Sequence, residues 1–185
     1  MTKWAKFCGW LLKRLGWTSD SGPMTEKKAI VLGVPHTSVW DFLISYLFYA
    51  QFDKPAHIMI KKEFFFWPLG WFLRKVGCIP VDRSSAAGMV KSLITEMEKE
   101  DFFHLAIAPE GTRKATKKWK TGYHVIAKAV DCPVYMGYFD WGRKRVGVGE
   151  KFELTDDARG DTEKIQAHYE KMGLQGKHKD GFITH

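Results

Sequence analysis

Strand-like and helix-like patterns alternate along this chain from residue 29 to residue 172, and that alternation constrains the fold more than any other feature. Runs rich in β-branched and aromatic residues fall at residues 29–34, 56–60, 78–81, 103–108, 133–139 and 145–152. Helical periodicity falls near residues 41–51, 64–76, 86–100, 123–130 and 162–172. Such alternation predicts one α/β domain with a central, mostly parallel sheet covered by helices. In folds of this kind functional side chains gather at the carboxyl ends of strands. At 185 residues the chain is long enough to bury a full core, and no repeat or low-complexity tract suggests a second domain.

Residues 3–17, KWAKFCGWLLKRLGW, predict an additional amphipathic helix. Trp4, Phe7, Cys8, Leu11, Leu12 and Leu15 share one face by spacing, and Lys6, Lys13 and Arg14 lie opposite with Trp10 and Trp17. Two placements suit it: in a lipid headgroup layer, or docked on the domain through its leucine face. TSDSGPMTEKK then reads as a loop, and the polar segment after Gly173 reads as a loosely held tail.

Charge narrows the partners. Lys and Arg outnumber Asp and Glu by 29 to 21, so an anionic partner is expected: nucleic acid, a lipid surface, a phosphorylated small molecule or an acidic carrier protein. The apolar stretches are broken by charge or proline before about 18 residues, so no transmembrane helix is expected. The N-terminus shows no small-residue cleavage site, so no secretory signal is expected. Cys8, Cys78 and Cys132 form no C-x-x-C pair, which argues against a zinc site or a disulfide framework and fits a reducing compartment.

Three stretches sit where strands should end. The first, PHTSVWD, follows the apolar run AIVLGV and holds His36 and Asp41. Its plain reading is a capping box, with Ser38 as N-cap and Asp41 at the third helical position. Its chemical reading is a general base oriented by a carboxylate, because a turn plus the first helical turn brings the two side chains together. The second is APEGTR, with Glu110, Gly111, Thr112 and Arg113, followed by Lys114, Lys117, Lys118 and Lys120. Gly111 permits close backbone approach and Arg113 suits a bidentate phosphate contact; the plain alternative is a solvated loop with a Glu110–Arg113 ion pair. The third is GCIPVDR, a short strand ending at Arg83, otherwise an ordinary sheet edge.

Taken together, His36-x-Ser38-x-x-Asp41, Gly77-x-Ile79-x-Val81-x-Arg83 and Glu110-Gly-Thr-Arg113 resemble, in order and interval, the motifs of the glycerolipid acyltransferase family. Cys132-Pro133-Val134-Tyr135 resembles the family's fourth block, and Trp119-Lys-Thr-Gly122 its aromatic-Lys-x-Gly segment. The resemblance runs from about Lys28 to Phe139. Two positions depart from it: Pro35 where members often have Asn, and Met136 where a second proline is common.

That resemblance implies transfer of a fatty acyl group from an acyl thioester to the hydroxyl of a lysophospholipid, with 1-acylglycerol-3-phosphate the expected acceptor. The donor would be acyl-coenzyme A or acyl carrier protein. It implies His36 as catalytic base, Asp41 as its partner, and no acyl-enzyme. Arg83, Glu110, Gly111, Thr112 and Arg113 would bind substrate. No metal or other cofactor is implied. On this reading the chain divides into a membrane-interface helix and loop (1–22), an acyltransferase domain (23–173) and a polar C-terminal tail (174–185).

The segment KKEFFFWPLGWFLRK carries Phe64, Phe65, Phe66, Trp67 and Trp71 between basic ends. It suits a bilayer surface or the wall of an acyl-chain groove, and alternatively a buried helix. A peripheral place on the cytoplasmic face of a membrane follows from these readings. Three rivals stand beside the main one: transfer to another lyso-lipid such as a lyso-aminolipid, a non-catalytic basic membrane-binding protein, and a nucleic-acid binder using the clusters at 114–120 and 143–145 with Trp119 and Trp141.

Overall fold

A computed structural model describes residues 1–22, 24–82, 84–178 and 182. Seven strands form one sheet: β1 (Thr18–Ser19), β2 (Lys28–Val34), β3 (His57–Lys61), β4 (Cys78–Val81), β5 (Phe103–Ile107), β6 (Val134–Asp140) and β7 (Arg145–Phe152). Six α-helices accompany them: α1 (Lys3–Arg14), α2 (Trp40–Ala50), α3 (Leu69–Lys75), α4 (Ala86–Lys99), α5 (Gly122–Ala129) and α6 (Ala158–Met172). The spatial order is β1-β7-β6-β2-β5-β3-β4. Every pairing is parallel except β6 with β7. The expected mostly parallel α/β domain is therefore the observed one. The two-residue strand β1 lies in the stretch read as a loop, too short to carry a pattern of its own.

β2 is the central strand, and its sequence explains why. Ile30, Leu32 and Val34 join one apolar cluster with Leu93, Tyr123, Ile126 and Ile165 from α4, α5 and α6. Ala29 and Val31 join the other with Cys8, Leu12, Ile44 and Leu47 from α1 and α2. A strand buried on both faces must be apolar at consecutive positions, not at alternate ones. The Cys78 and Cys132 thiols are buried, which pushes them up to about 12 and about 11.

Helix α1 docks on α2 by part of the face that spacing suggested, Cys8 and Leu12 with Leu11 partly buried, and not by the rest of it. Ala5, Cys8 and Leu12 are buried, whereas Trp4, Phe7, Trp10 and Leu15 stay exposed. Small residues let the helix approach closely, and Gly9 packs over Gln51. Thr2 caps the helix through the Ala5 N–H and also bonds Asp53 beyond the end of α2. Trp17, placed by spacing on the basic face, is buried and meets Trp141 edge-on at 4.9 Å between ring centroids.

The expected single helix over residues 64–76 is broken in two. A 3-10 turn at Lys62–Phe64 precedes α3, and Gly70 packs so closely on Phe65 that a Cβ there would sit 2.5 Å from the Phe65 carbonyl. Residues 174–178 also differ from expectation. Leu174 is buried in the core, and the Trp141 N–H donates to the Gln175 carbonyl at 2.8 Å. That segment is packed on the domain.

Candidate active site

β2 lies between β5 and β6, all three parallel, so three carboxyl ends converge at the point where strand order reverses. Leu32 pairs with Ile107 and Val34 with Tyr138. Extending those registers past the ladders brings His36, Glu110 and Trp141 to one level of the sheet end. Residues 74 and 100 positions apart thereby become neighbours.

The His36–Asp41 pair is formed. Nδ1 of His36 lies 3.2 Å from Oδ2 of Asp41, and the imidazole is about one third exposed while the carboxylate is 1% exposed. The same Oδ2 accepts the backbone N–H groups of Thr37 and Ser38, each at 2.8 Å. Oδ1 accepts the indole N–H of Trp141 at 2.7 Å. Every neighbour of this carboxylate is thus a donor, so the network assigns the His36 proton to Nδ1. Nε2 makes no hydrogen bond within the described residues and is the free acceptor.

The capping box forms in part: Asp41 accepts the Ser38 N–H as read, but the helix boundary is shifted. α2 begins at Trp40, Val39 is its N-cap without a side-chain bond, and Asp41 is the second helical residue. Ser38 Oγ accepts the Trp40 N–H at 3.3 Å. Asp41 itself gathers the N–H groups of the incoming turn. A short carboxylate on the first helical turn reaches back to residues three and four before it, so Asp41 and Ser38 share the closing of this turn.

Glu110, expected on the substrate side, is turned inward. It is 5% exposed, and both carboxylate oxygens face the His36 N–H at 3.0 and 3.3 Å. Burial pushes its carboxyl up to about 8; the His36 bond opposes that shift and the Asp41 charge adds to it. The Glu110–Arg113 ion pair of the plain alternative is not made: among the described residues Arg113 has no carboxylate partner. Gly111 closes a turn on the Ala108 carbonyl at φ +66°, the left-handed region that a residue with a Cβ enters at a cost. Thr112 Oγ1 accepts the Lys114 N–H, tightening the next turn.

A cleft of about 540 Å³ opens at the turn that follows His36, lined by Thr37, Trp40, Thr112, Arg113, Lys114 and Lys177 among others. Arg83 lies outside the described residues. Its neighbour Asp82 is bound by the Lys62 ammonium and the Ser84 N–H. A smaller cleft of about 410 Å³, lined by Glu150, Lys151 and His168, lies at the opposite end of the sheet, because β7 runs antiparallel to β6. Among the described residues no group of three or more His, Cys, Asp or Glu side chains is placed to hold a metal ion.

The aromatic segment is largely exposed. Trp67 is 86% accessible, and Phe64, Phe66, Trp71 and Phe72 are more than half accessible, while Phe65 is half-buried under Arg74. On α1, Trp4, Phe7 and Trp10 form a continuous exposed ridge, with successive ring centroids 5.4 and 5.9 Å apart. No helix among the described residues is long and apolar enough to cross a membrane.

Sequence reading missed Trp141 and Lys177 as parts of this site. The one available signal for Trp141 was its place just after a strand, where an indole N–H has few local partners.

Fold and site together define a doubly wound α/β protein whose switch point holds a histidine–carboxylate pair beside a basic cleft. The chain belongs to the acyltransferase family, whose model matches residues 18–137. It is 34% identical over 112 residues to the 1-acyl-sn-glycerol-3-phosphate acyltransferase of Streptococcus pneumoniae (strain ATCC BAA-255 / R6). That match covers 60% of this chain and 40% of the relative, so the chain spans about two fifths of the relative's length. The fold is similar to the crystal structure of the 1-acyl-sn-glycerophosphate (LPA) acyltransferase PlsC from Thermotoga maritima. Its TM-score is 0.60 at 15% identity, over 94% of this chain and 80% of that one.

Proposed function

We propose that the protein acylates the free hydroxyl of a lysophospholipid, with 1-acylglycerol-3-phosphate the acceptor and an acyl thioester the donor. Nε2 of His36 takes the hydroxyl proton as the oxygen attacks the thioester carbonyl carbon. The C–S bond then breaks, and the leaving thiolate recovers the proton from the imidazolium. Asp41 holds the ring in the required tautomer and stabilises the imidazolium. No protein nucleophile is required: the neighbouring hydroxyls of Thr37 and Ser38 are buried, and Ser38 is engaged with the start of α2. Arg113 and Lys114 supply positive charge for the acceptor phosphate. The exposed aromatics of residues 64–72 and of α1, flanked by Lys and Arg, suit an anionic membrane surface where such acceptors reside.

The observation that carries this reading is the His36–Asp41 contact at the switch point, with a basic cleft lined by the turn that follows His36. The test is transfer from labelled acyl-coenzyme A, and separately from acyl carrier protein, to 1-acylglycerol-3-phosphate in detergent micelles. Wild type should transfer with at least one donor, and His36→Ala, verified as folded, should lose about 10²–10⁴-fold. Equal rates in both proteins remove His36 from the mechanism. Transfer only to a different lyso-lipid replaces the acceptor while keeping the chemistry.

A further inference from the structure

We propose that residues 174–178 complete a phosphate subsite for the acceptor, with Lys177 and His178 as binding residues. The inference rests on the acyl-transfer reading above and deepens it.

Two walls of the 540 Å³ cleft come from the His36 turn and the Glu110–Arg113 loop; the third comes from Lys177 and His178. The segment that carries them is built into the domain. Leu174 anchors it in the core, and Gly176 lies so close to Thr37 that a Cβ would sit 2.5 Å from Thr37 Cγ2. The His178 N–H faces Thr37 Oγ1 at 3.4 Å. The Lys177 ammonium sits 4.6 Å from the Trp40 ring and 4.9 Å from the Trp141 ring, held between two indoles. Trp40 precedes Asp41 in sequence and Trp141 binds it, so the same residues fix the base pair and this lysine.

The electrostatics name the ligand class. Arg113, Lys114 and Lys177 share one cleft, no carboxylate is among its described lining residues, and none of the three has an ion-pair partner among the described residues. Like charges gathered without a counter-charge repel one another, and a bound anion relieves that repulsion. The imidazole of His178 adds a hydrogen-bonding partner of the kind a phosphate monoester uses. Coenzyme A also carries phosphates, but the position at the turn that follows His36, which must meet the acceptor hydroxyl, assigns the subsite to the acceptor.

The experiment uses the 185-residue chain as wild type, the Lys177→Ala/His178→Ala double variant, and Gly176→Ala, which displaces the segment and leaves its charges. Both changed side chains of the double variant are exposed, so its stability should stay within about 0.5 kcal/mol of wild type. Calorimetric titration with sn-glycerol 3-phosphate should show affinity weakened about tenfold in both variants. In turnover, KM for 1-acylglycerol-3-phosphate should rise about tenfold with kcat within about twofold. KM for the thioester, and transfer to monoacylglycerol, should not change. Equal binding of glycerol 3-phosphate by all three proteins, or by none, overturns the proposal. So does a rise in donor KM in place of acceptor KM, or faster turnover in the variants, which would make the segment a barrier across the cleft. If wild type transfers no acyl group, the enzymatic reading fails while the titration still decides the subsite.

Discussion

The indole N–H of Trp141 donates to Oδ1 of Asp41 at 2.7 Å, joining the end of β6 to the start of α2 across 100 residues. It is the only bond to that oxygen among those described, since Oδ2 serves Thr37, Ser38 and His36. Trp141 therefore sets the rotation of the carboxylate about its own axis, and with it the plane in which Nδ1 of His36 finds its partner. It touches no reacting atom and is a positioning residue.

Trp141→Phe keeps the ring and removes the donor. We expect kcat to fall about 10- to 30-fold with acceptor KM nearly unchanged, since one hydrogen bond to a charged group is at stake. Asp41→Asn should cost about a hundredfold or more, because an amide cannot accept from all four surrounding donors. Steady-state kinetics on the folded variants check both. A Trp141→Phe enzyme as impaired as Asp41→Asn would mean that the ring packing, not the N–H, is what matters.

Glu110 gives the fold a pH dependence of definite sign. Its carboxyl titrates at the ordinary 4.5 in the unfolded chain and is pushed up to about 8 by burial in the folded one. Between those values the folded protein holds a proton that the unfolded chain releases. Its contribution to stability is full below about 4.5, falls as pH rises through about 8, and is flat above that. Glu110→Gln should flatten this part of the stability–pH profile, measured by urea unfolding at a series of pH values. It keeps an oxygen for the His36 N–H, so turnover should stay within about threefold, whereas Glu110→Ala leaves that N–H buried and unpaired, at a cost of about 1–3 kcal/mol. A Gln variant with the wild-type slope would remove Glu110 as the titrating group.

Gly70 separates two foldings of the aromatic segment. In one continuous helix, Gly70→Ala would stabilise by about 1 kcal/mol. In the turn-plus-helix arrangement the new Cβ meets Phe65 backbone at 2.5 Å, which side-chain movement does not relieve. We expect loss of about 1–3 kcal/mol by thermal or urea unfolding.

The exposed rings of the same segment should be nearly silent in stability and audible in lipid binding. Trp67→Ala/Trp71→Ala removes two exposed side chains, so unfolding should shift by no more than about 1 kcal/mol. Sedimentation with anionic phospholipid vesicles should weaken about tenfold. The corresponding change on α1, Trp4→Ala/Trp10→Ala, tests the second ridge separately. Unchanged vesicle binding in both variants would take these aromatics out of the membrane contact.

The amino-acid sequence by itself determined the elements and their class. Continuous apolar runs such as residues 29–34 have one use in an alternating chain, as strands buried on both faces, and β4 and β7 begin and end where the pattern does. Local chemistry likewise marked His36 and Asp41, because their spacing crosses one turn. Tertiary structure decided the rest. Strand order is a property of crossovers and packing that no local pattern encodes, and the order β6-β2-β5 is what delivers Trp141 and Glu110 to His36. It also decided that Asp41 gathers the N–H groups of Thr37 and Ser38, and that α1 docks by Ala5, Cys8 and Leu12 while Trp4 and Trp10 face outward. Helical spacing says which residues share a face. Which face is buried depends on the surface that helix meets, and here that surface takes Ala5, Cys8 and Leu12 and leaves Trp4, Phe7 and Trp10 outside.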